Sequence, residues 1–131
     1  MAKILVVDDS SSMRQMIKFS LESAGHTITQ ARDGSEGLKA VKLEPFDLIL
    51  TDVNMPIMNG FEFSIEVRKL PSFKFTPILM LTTESDNDKK MQGKAAGVTG
   101  WILKPFRPET LIATVNKLRN LSQRPISLAT R

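Results

Sequence analysis

Cysteine and tyrosine are both absent from this 131-residue chain, and histidine and tryptophan occur once each. Without cysteine there is no disulfide framework, no thiol nucleophile, no iron–sulfur cluster and no thiolate-held zinc. The single histidine, His26, excludes a metal site built from several imidazoles. Long apolar runs are missing as well. Ile4-Leu5-Val6-Val7 runs straight into two acids, which is too short for a signal peptide or a membrane span. A cytoplasmic protein without membrane insertion is expected. Its length and 24% charged residues suit one domain with its own core, which needs no disulfide or structural metal.

The formal net charge is +4, but it is unevenly placed. From Lys104 onward there are six basic residues and one acid, whereas residues 1 to 103 carry twelve basic residues and thirteen acids. A positive excess confined to the last fifth of a chain reads as a solvated helix face. No helix-turn-helix or zinc-finger spacing accompanies it, so a nucleic-acid partner is not expected.

What is present is an alternation of short β-rich runs with longer helical periods, the pattern of an α/β domain with a parallel sheet. Lys3 to Val7 is an aliphatic strand ending at Asp8-Asp9, and its lack of polar alternation predicts burial on both faces. Ser10, Ser11 and Ser12 offer caps for a helix closed by Gly25. Thr27 to Ala31 follows as a strand, then a helix from Asp33-Gly34 carrying Leu38, Val41 and Leu43 and bounded by Pro45. Asp47 to Thr51 is the third strand and ends at Asp52. Further predictions are a helix over 61–70, a strand from Pro77 to Leu81 ending at Thr82-Thr83, and a polar helix over 86–96. A strand from Thr99 to Leu103, ending at Lys104-Pro105, and a last helix from about Pro108 complete the reading. That helix should bury Leu111, Ile112, Val115 and Leu118. The domain is expected to span 1–121, with 122–131 a flexible tail.

Polar residues fall at telling places. Asp8, Asp9, Asp52, Thr82 and Lys104 each stand where an apolar strand gives way to a loop. In an open parallel sheet the carboxyl ends of the strands share one edge, where ligands bind. Singly, each is ordinary: Asp and Thr form turns and caps, and Lys sits on surfaces. Jointly, three carboxylates, a hydroxyl and an ammonium converge. Such carboxylates repel and raise one another's pKa unless a cation intervenes, and an oxygen-only set suits Mg²⁺. The ion together with Lys104 brings the three negative charges to zero, which suits a site for phosphoryl transfer. A carboxylate is then the available nucleophile, and Asp52 on its central strand is favoured.

Five ordered motifs carry a resemblance. They are Val6-Val7-Asp8-Asp9-Ser10, Thr51-Asp52-Val53-Asn54-Met55-Pro56, Asn59-Gly60, Leu81-Thr82-Thr83-Glu84 and Leu103-Lys104-Pro105-Phe106. From about Lys3 to Leu121 the chain resembles a response-regulator receiver domain, and most of all the single-domain chemotaxis members of that family. The resemblance implies a flavodoxin-like, doubly wound sheet of five parallel strands in order 2-1-3-4-5 with five helices. It implies Asp52 as phosphoacceptor, with Mg²⁺ held by the side chains of Asp9 and Asp52, the backbone carbonyl of Asn54, and Asp8 through water. Thr82 and Lys104 would each engage a phosphoryl oxygen, and Lys104-Pro105 would be cis. Asn54 and Glu84 would tune phosphoryl lifetime.

At position 101 the family usually carries Tyr or Phe, which swings inward on activation. Trp101 departs from that pattern, being larger and having a donor as its only hydrogen-bonding group. A partner face is expected at Lys89, Lys90, Trp101 and Lys117, on spacing and resemblance together. The helix near 86 opens with Ser85-Asp86-Asn87-Asp88, where the best-studied flagellar-motor binders carry lysines.

The function implied is a monomeric, stand-alone regulator without an attached output domain, phosphorylated by a histidine kinase. Its downstream partner would be a protein such as the flagellar motor switch or a phosphatase; a phosphorelay intermediate is the alternative within the class. An aspartate-nucleophile phosphohydrolase would want a second acid where Asn54 stands. A flavodoxin-like electron carrier would find Asp8-Asp9 repelling its flavin phosphate.

Overall fold

The computed structural model describes residues 1–122. Five strands, β1 (Lys3–Val7), β2 (Thr27–Ala31), β3 (Leu48–Thr51), β4 (Ile78–Thr82) and β5 (Gly100–Leu103), pair in parallel in the order β2-β1-β3-β4-β5. Five helices connect and follow them: α1 (Ser11–Ser23), α2 (Gly34–Leu43), α3 (Gly60–Arg68), α4 (Asn87–Ala95) and α5 (Pro108–Ser122). The doubly wound α/β order implied by the resemblance is therefore the observed one. The tail expected after the last helix lies outside the described residues, except Ser122, which is helical.

Alternation along the strands splits the core into two layers, because successive side chains point to opposite faces. Ile4, Val6, Leu48, Leu50, Leu79 and Leu81 pack under α1 and α5, against Ile17, Leu21, Leu111, Val115 and Leu118. Leu5, Val7, Ile49 and Ile78 pack on the other side against Val41 of α2 and Phe63 and Val67 of α3. Both faces of the central strands are covered, which is why those strands are continuously apolar. Each fully buried aliphatic side chain contributes roughly 2 kcal/mol relative to exposure.

The helices start where their caps stand. Ser10, Asp33 and Asp86 accept from the amides of Met13, Glu36 and Lys89, and Asn59 forms a reciprocal capping box with Glu62. Three details differ from expectation. Leu43 is 84% exposed, because it lies two residues past Val41 and so faces away from the Gly34, Gly37 and Val41 side of α2 that packs on the sheet. Ile112 is only partly buried. A single 3-10 turn, Pro71–Phe73, follows α3 and buries Phe73. No described helix is long and apolar enough to cross a membrane.

Candidate phosphoacceptor site

Register brings the polar residues together. The ladder continues one step past the strands: Asp8 N donates to Ala31 O, Asp52 N to Val7 O, and Lys104 N to Thr82 O. Consecutive strand ends are thereby held side by side. Asp8, Asp9 and Asp52 each offer a carboxylate oxygen within 4.8 Å of the others. Asp8 is buried, Asp9 exposed and Asp52 between the two. Lys104 reaches across the edge, its Nζ 2.8 Å from Asp8 Oδ2 and 3.3 Å from Asp52 Oδ2. Lys104-Pro105 is cis.

Several groups fix these charges in place. Asp8 Oδ1 accepts from the Ser10 amide, and the carbonyl of Asp8 accepts from the Arg14 guanidinium. Asp52 Oδ1 accepts from the Val53 amide at 2.7 Å. Gly60, first residue of α3, donates its amide to Val53 O, and a Cβ there would collide with the Asp52 carbonyl. The Asn59-Gly60 motif thus lets α3 approach the Asp52 loop closely.

Asp52 is held above the usual carboxylate range. Burial is the main cause, Asp8 adds repulsion, and Lys104 and the Val53 amide oppose it. Burial alone would lower the Lys104 pKa, but the hydrogen bond and charge of Asp8, then the charge of Asp52, outweigh it and raise the pKa. The two directions fit one picture: Lys104 favours Asp8, leaving Asp52 the less compensated carboxylate. With one ammonium against three carboxylates, a hard divalent cation suits the acidic cluster.

Thr82 is fully buried at the end of β4, and its hydroxyl accepts from the Glu84 amide at 3.2 Å. Glu84 links three elements. Its carboxylate accepts from Asn54 Nδ2 at 3.3 Å, and its carbonyl accepts from Trp101 Nε1 at 2.9 Å. The Trp101 ring is partly buried and stacks on Phe61, with centroids 6.4 Å apart and planes at 22°. An indole therefore fits at this position.

The expected partner face is only partly contiguous. Lys90 and Trp101 line one groove of about 580 Å³ together with Leu103, Phe106 and Thr110. Lys89 sits in the first turn of α4 with its amide on Asp86, and Lys117 is exposed on α5; neither lines that groove. The sequence reading missed Arg14, Val53 and Phe61. Arg14 had a legible signal, since it follows Asp8-Asp9 within the first turn of a helix, but backbone donors and ring contacts carry none.

These features agree with what the chain is similar to. It belongs to the response regulator receiver domain family, whose model matches residues 4–116. The crystal structure of chemotaxis protein CheY4 of Vibrio cholerae is 53% identical with a TM-score of 0.88, over 90% of this chain and 98% of that one. Chemotaxis protein CheY of Pseudomonas aeruginosa is 39% identical over 117 residues, 88% of this chain and 94% of that protein. The sensor histidine kinase CheAY of Helicobacter pylori is 37% identical over 116 residues, 87% of this chain and 14% of that protein. The chain is thus a receiver domain of two-component signalling, similar to the CheY chemotaxis regulators.

Proposed function

We propose that Asp52 is the phosphoacceptor and that the chain works as a chemotaxis-type response regulator. One observation carries this most directly: Lys104 Nζ lies between Asp8 and Asp52, at 2.8 and 3.3 Å, on the carboxyl edge of the sheet. A carboxylate oxygen of Asp52 attacks the phosphorus of a phosphohistidine or small acyl phosphate. The new O–P bond forms as the donor's P–N or P–O bond breaks, releasing either an imidazole, whose nitrogen takes up a proton, or a carboxylate, which leaves as the anion. Asp9 and Asp52 would hold Mg²⁺ with their side chains, Asn54 with its carbonyl and Asp8 through water. The ion supplies charge neutralisation for the transferred oxygens. Thr82 and Lys104 would each take a phosphoryl oxygen, which requires Lys104 to exchange its present partners, whereas the Thr82 hydroxyl donates while still accepting from the Glu84 amide.

The chain is a signalling partner in this reading and not a conventional enzyme. A histidine kinase is the donor, as the likeness to a segment of a sensor histidine kinase supports. The output is a changed affinity for a protein such as a motor switch or a phosphatase, read on the side of the molecule that carries Lys89, Lys90, Trp101 and Lys117. The deciding experiment is incubation with acetyl phosphate and Mg²⁺ followed by mass spectrometry. One hydroxylamine-labile phosphate on Asp52, absent without Mg²⁺ and absent in Asp52→Asn, is expected. Labelling that persists in Asp52→Asn would refute the assignment.

A further inference from the structure

Helix α4 rests on the domain in an unusual way. Its sequence, Asn87 to Ala95, has no apolar stripe, and its one buried residue is Gly93. Glycine inside a helix costs stability relative to alanine, so its presence there calls for a reason. The reason lies in what it faces. A Cβ built on Gly93 would stand 2.9 Å from Trp101 Cζ3, 3.5 Å from its Cε3 and 3.4 Å from Phe61 Cε1. The first distance is too short for two carbons, and the indole moves only as a rigid plate. That plate is held on one side by its stack with Phe61 and at its other end by the Nε1 bond to the Glu84 carbonyl. It cannot yield to a methyl group at residue 93 without losing one or both contacts.

We infer that Gly93 is a positioning residue for the switch: its missing Cβ is the space that seats the Trp101 indole against α4 with Nε1 on Glu84. The inference rests on the proposed reading of Trp101 as the aromatic that answers phosphorylation at Asp52. Glu84 also donates its amide to Thr82, so the seat joins the strand end beside the phosphoacceptor to the groove lined by Lys90 and Trp101. A smaller ring at position 101 would not reach the Cζ3 position and would not need the glycine. The size of the aromatic and the absence of a side chain at 93 form one complementary pair.

The test uses the full chain as Gly93→Ala, Trp101→Phe and the double variant. With no tyrosine in the chain, ultraviolet-excited emission reports on this one indole. In the metal-free, unphosphorylated protein, Gly93→Ala should shift Trp101 emission to longer wavelength and raise its quenching by acrylamide. Gly93→Ala should lower Tm in the parent protein but raise it in the Trp101→Phe background, where only helix propensity remains. Unchanged emission, or a Tm rise in both backgrounds, would overturn the seat. Mg²⁺ with beryllofluoride should change Trp101 quenching in the parent beyond the Mg²⁺ baseline, and this change should be lost in Gly93→Ala although Asp52 labelling by acetyl phosphate stays equal. A response of the same size in both overturns the coupling. Failure of the parent to label at Asp52 would instead overturn the underlying reading, and the emission of the unphosphorylated protein distinguishes that case.

Discussion

Lys104 Nζ stands 2.8 Å from Asp8 Oδ2 and 3.3 Å from Asp52 Oδ2, so its ammonium is shared unequally between two carboxylates. Asp8, the nearer partner, has only 3% of its side chain exposed. Removing the ammonium would leave that carboxylate buried and uncompensated, a change that costs about 3 kcal/mol. Lys104→Met is therefore expected to be strongly destabilised at neutral pH, by urea denaturation, and added Mg²⁺ should recover part of the loss by replacing the missing positive charge. Because the folded Lys104 pKa is raised above 10.5, its contribution is complete at neutral pH and fades only as pH rises through the raised value. Equal stability of Lys104→Met and the parent at pH 7 would mean the pair is not formed in solution.

Asp52 gives the opposite sign. Its folded pKa is raised from 3.8, so the charged form is disfavoured by folding and the penalty is present above the raised value. Metal-free Asp52→Asn should melt a few degrees higher than the parent at pH 7. That gap should close as pH falls through the raised pKa toward 3.8. Mg²⁺ should stabilise the parent and leave Asp52→Asn nearly unmoved, and Asp9→Asn should also lose the Mg²⁺ response. A calorimetric series with and without Mg²⁺ checks all of this. A full Mg²⁺ response in Asp9→Asn would put the metal elsewhere.

Most of this edge was legible because its chemistry is written at strand ends. Aliphatic runs stop at Asp8, Asp52, Thr82 and Lys104, and a parallel sheet carries all such ends to one side. The first cap was equally legible, since Ser10 is a residue type that holds an orphan amide. What could not be read was tertiary. The Pro71–Phe73 turn is too short to show a period, and Leu43, two residues past Val41, falls off the buried stripe of α2. The resting place of Trp101 depends on how near α4 approaches, which no pattern in residues 87 to 95 states.

His26 makes a pH-dependent tie far from the acidic edge. Its ring is buried; Nδ1 accepts from the Ala2 amide at 3.0 Å, and Nε2 lies 3.1 Å from Asn116 Oδ1. The amide donor requires a bare Nδ1, so the neutral ring with its proton on Nε2 satisfies both contacts. Burial lowers the folded pKa below 6.5; the Asn116 bond opposes this, while the N-terminus and Arg119 repel a positive ring. Between the folded value and 6.5 the unfolded chain binds more protons, so stability falls as pH drops through that window and levels off below it. Thermal melts of the parent and of His26→Asn across this range should differ in slope, the variant being flatter. Parallel curves would show that the ring is not buried neutral.

Glu84 offers a final separation of roles, because its side chain and its backbone do different things. The carboxylate takes Asn54 Nδ2, two residues beyond Asp52, whereas the backbone takes Trp101 Nε1 and gives its amide to Thr82. Glu84→Ala removes only the first of these contacts. The Trp101 emission of the unphosphorylated variant should therefore match the parent. The acyl phosphate on Asp52 should hydrolyse faster, since the Asn54–Glu84 pair beside the site is gone; losing one hydrogen bond of about 1 kcal/mol corresponds to several-fold in rate. Thr82→Ala should do the reverse: it deletes the acceptor of the Glu84 amide and should blunt the Trp101 response to beryllofluoride. Measured together, decay of labelled Asp52 and quenching of Trp101 resolve the two paths. If Glu84→Ala moves the resting Trp101 emission, the backbone bond alone does not seat the indole, and the carboxylate must be holding the loop as well.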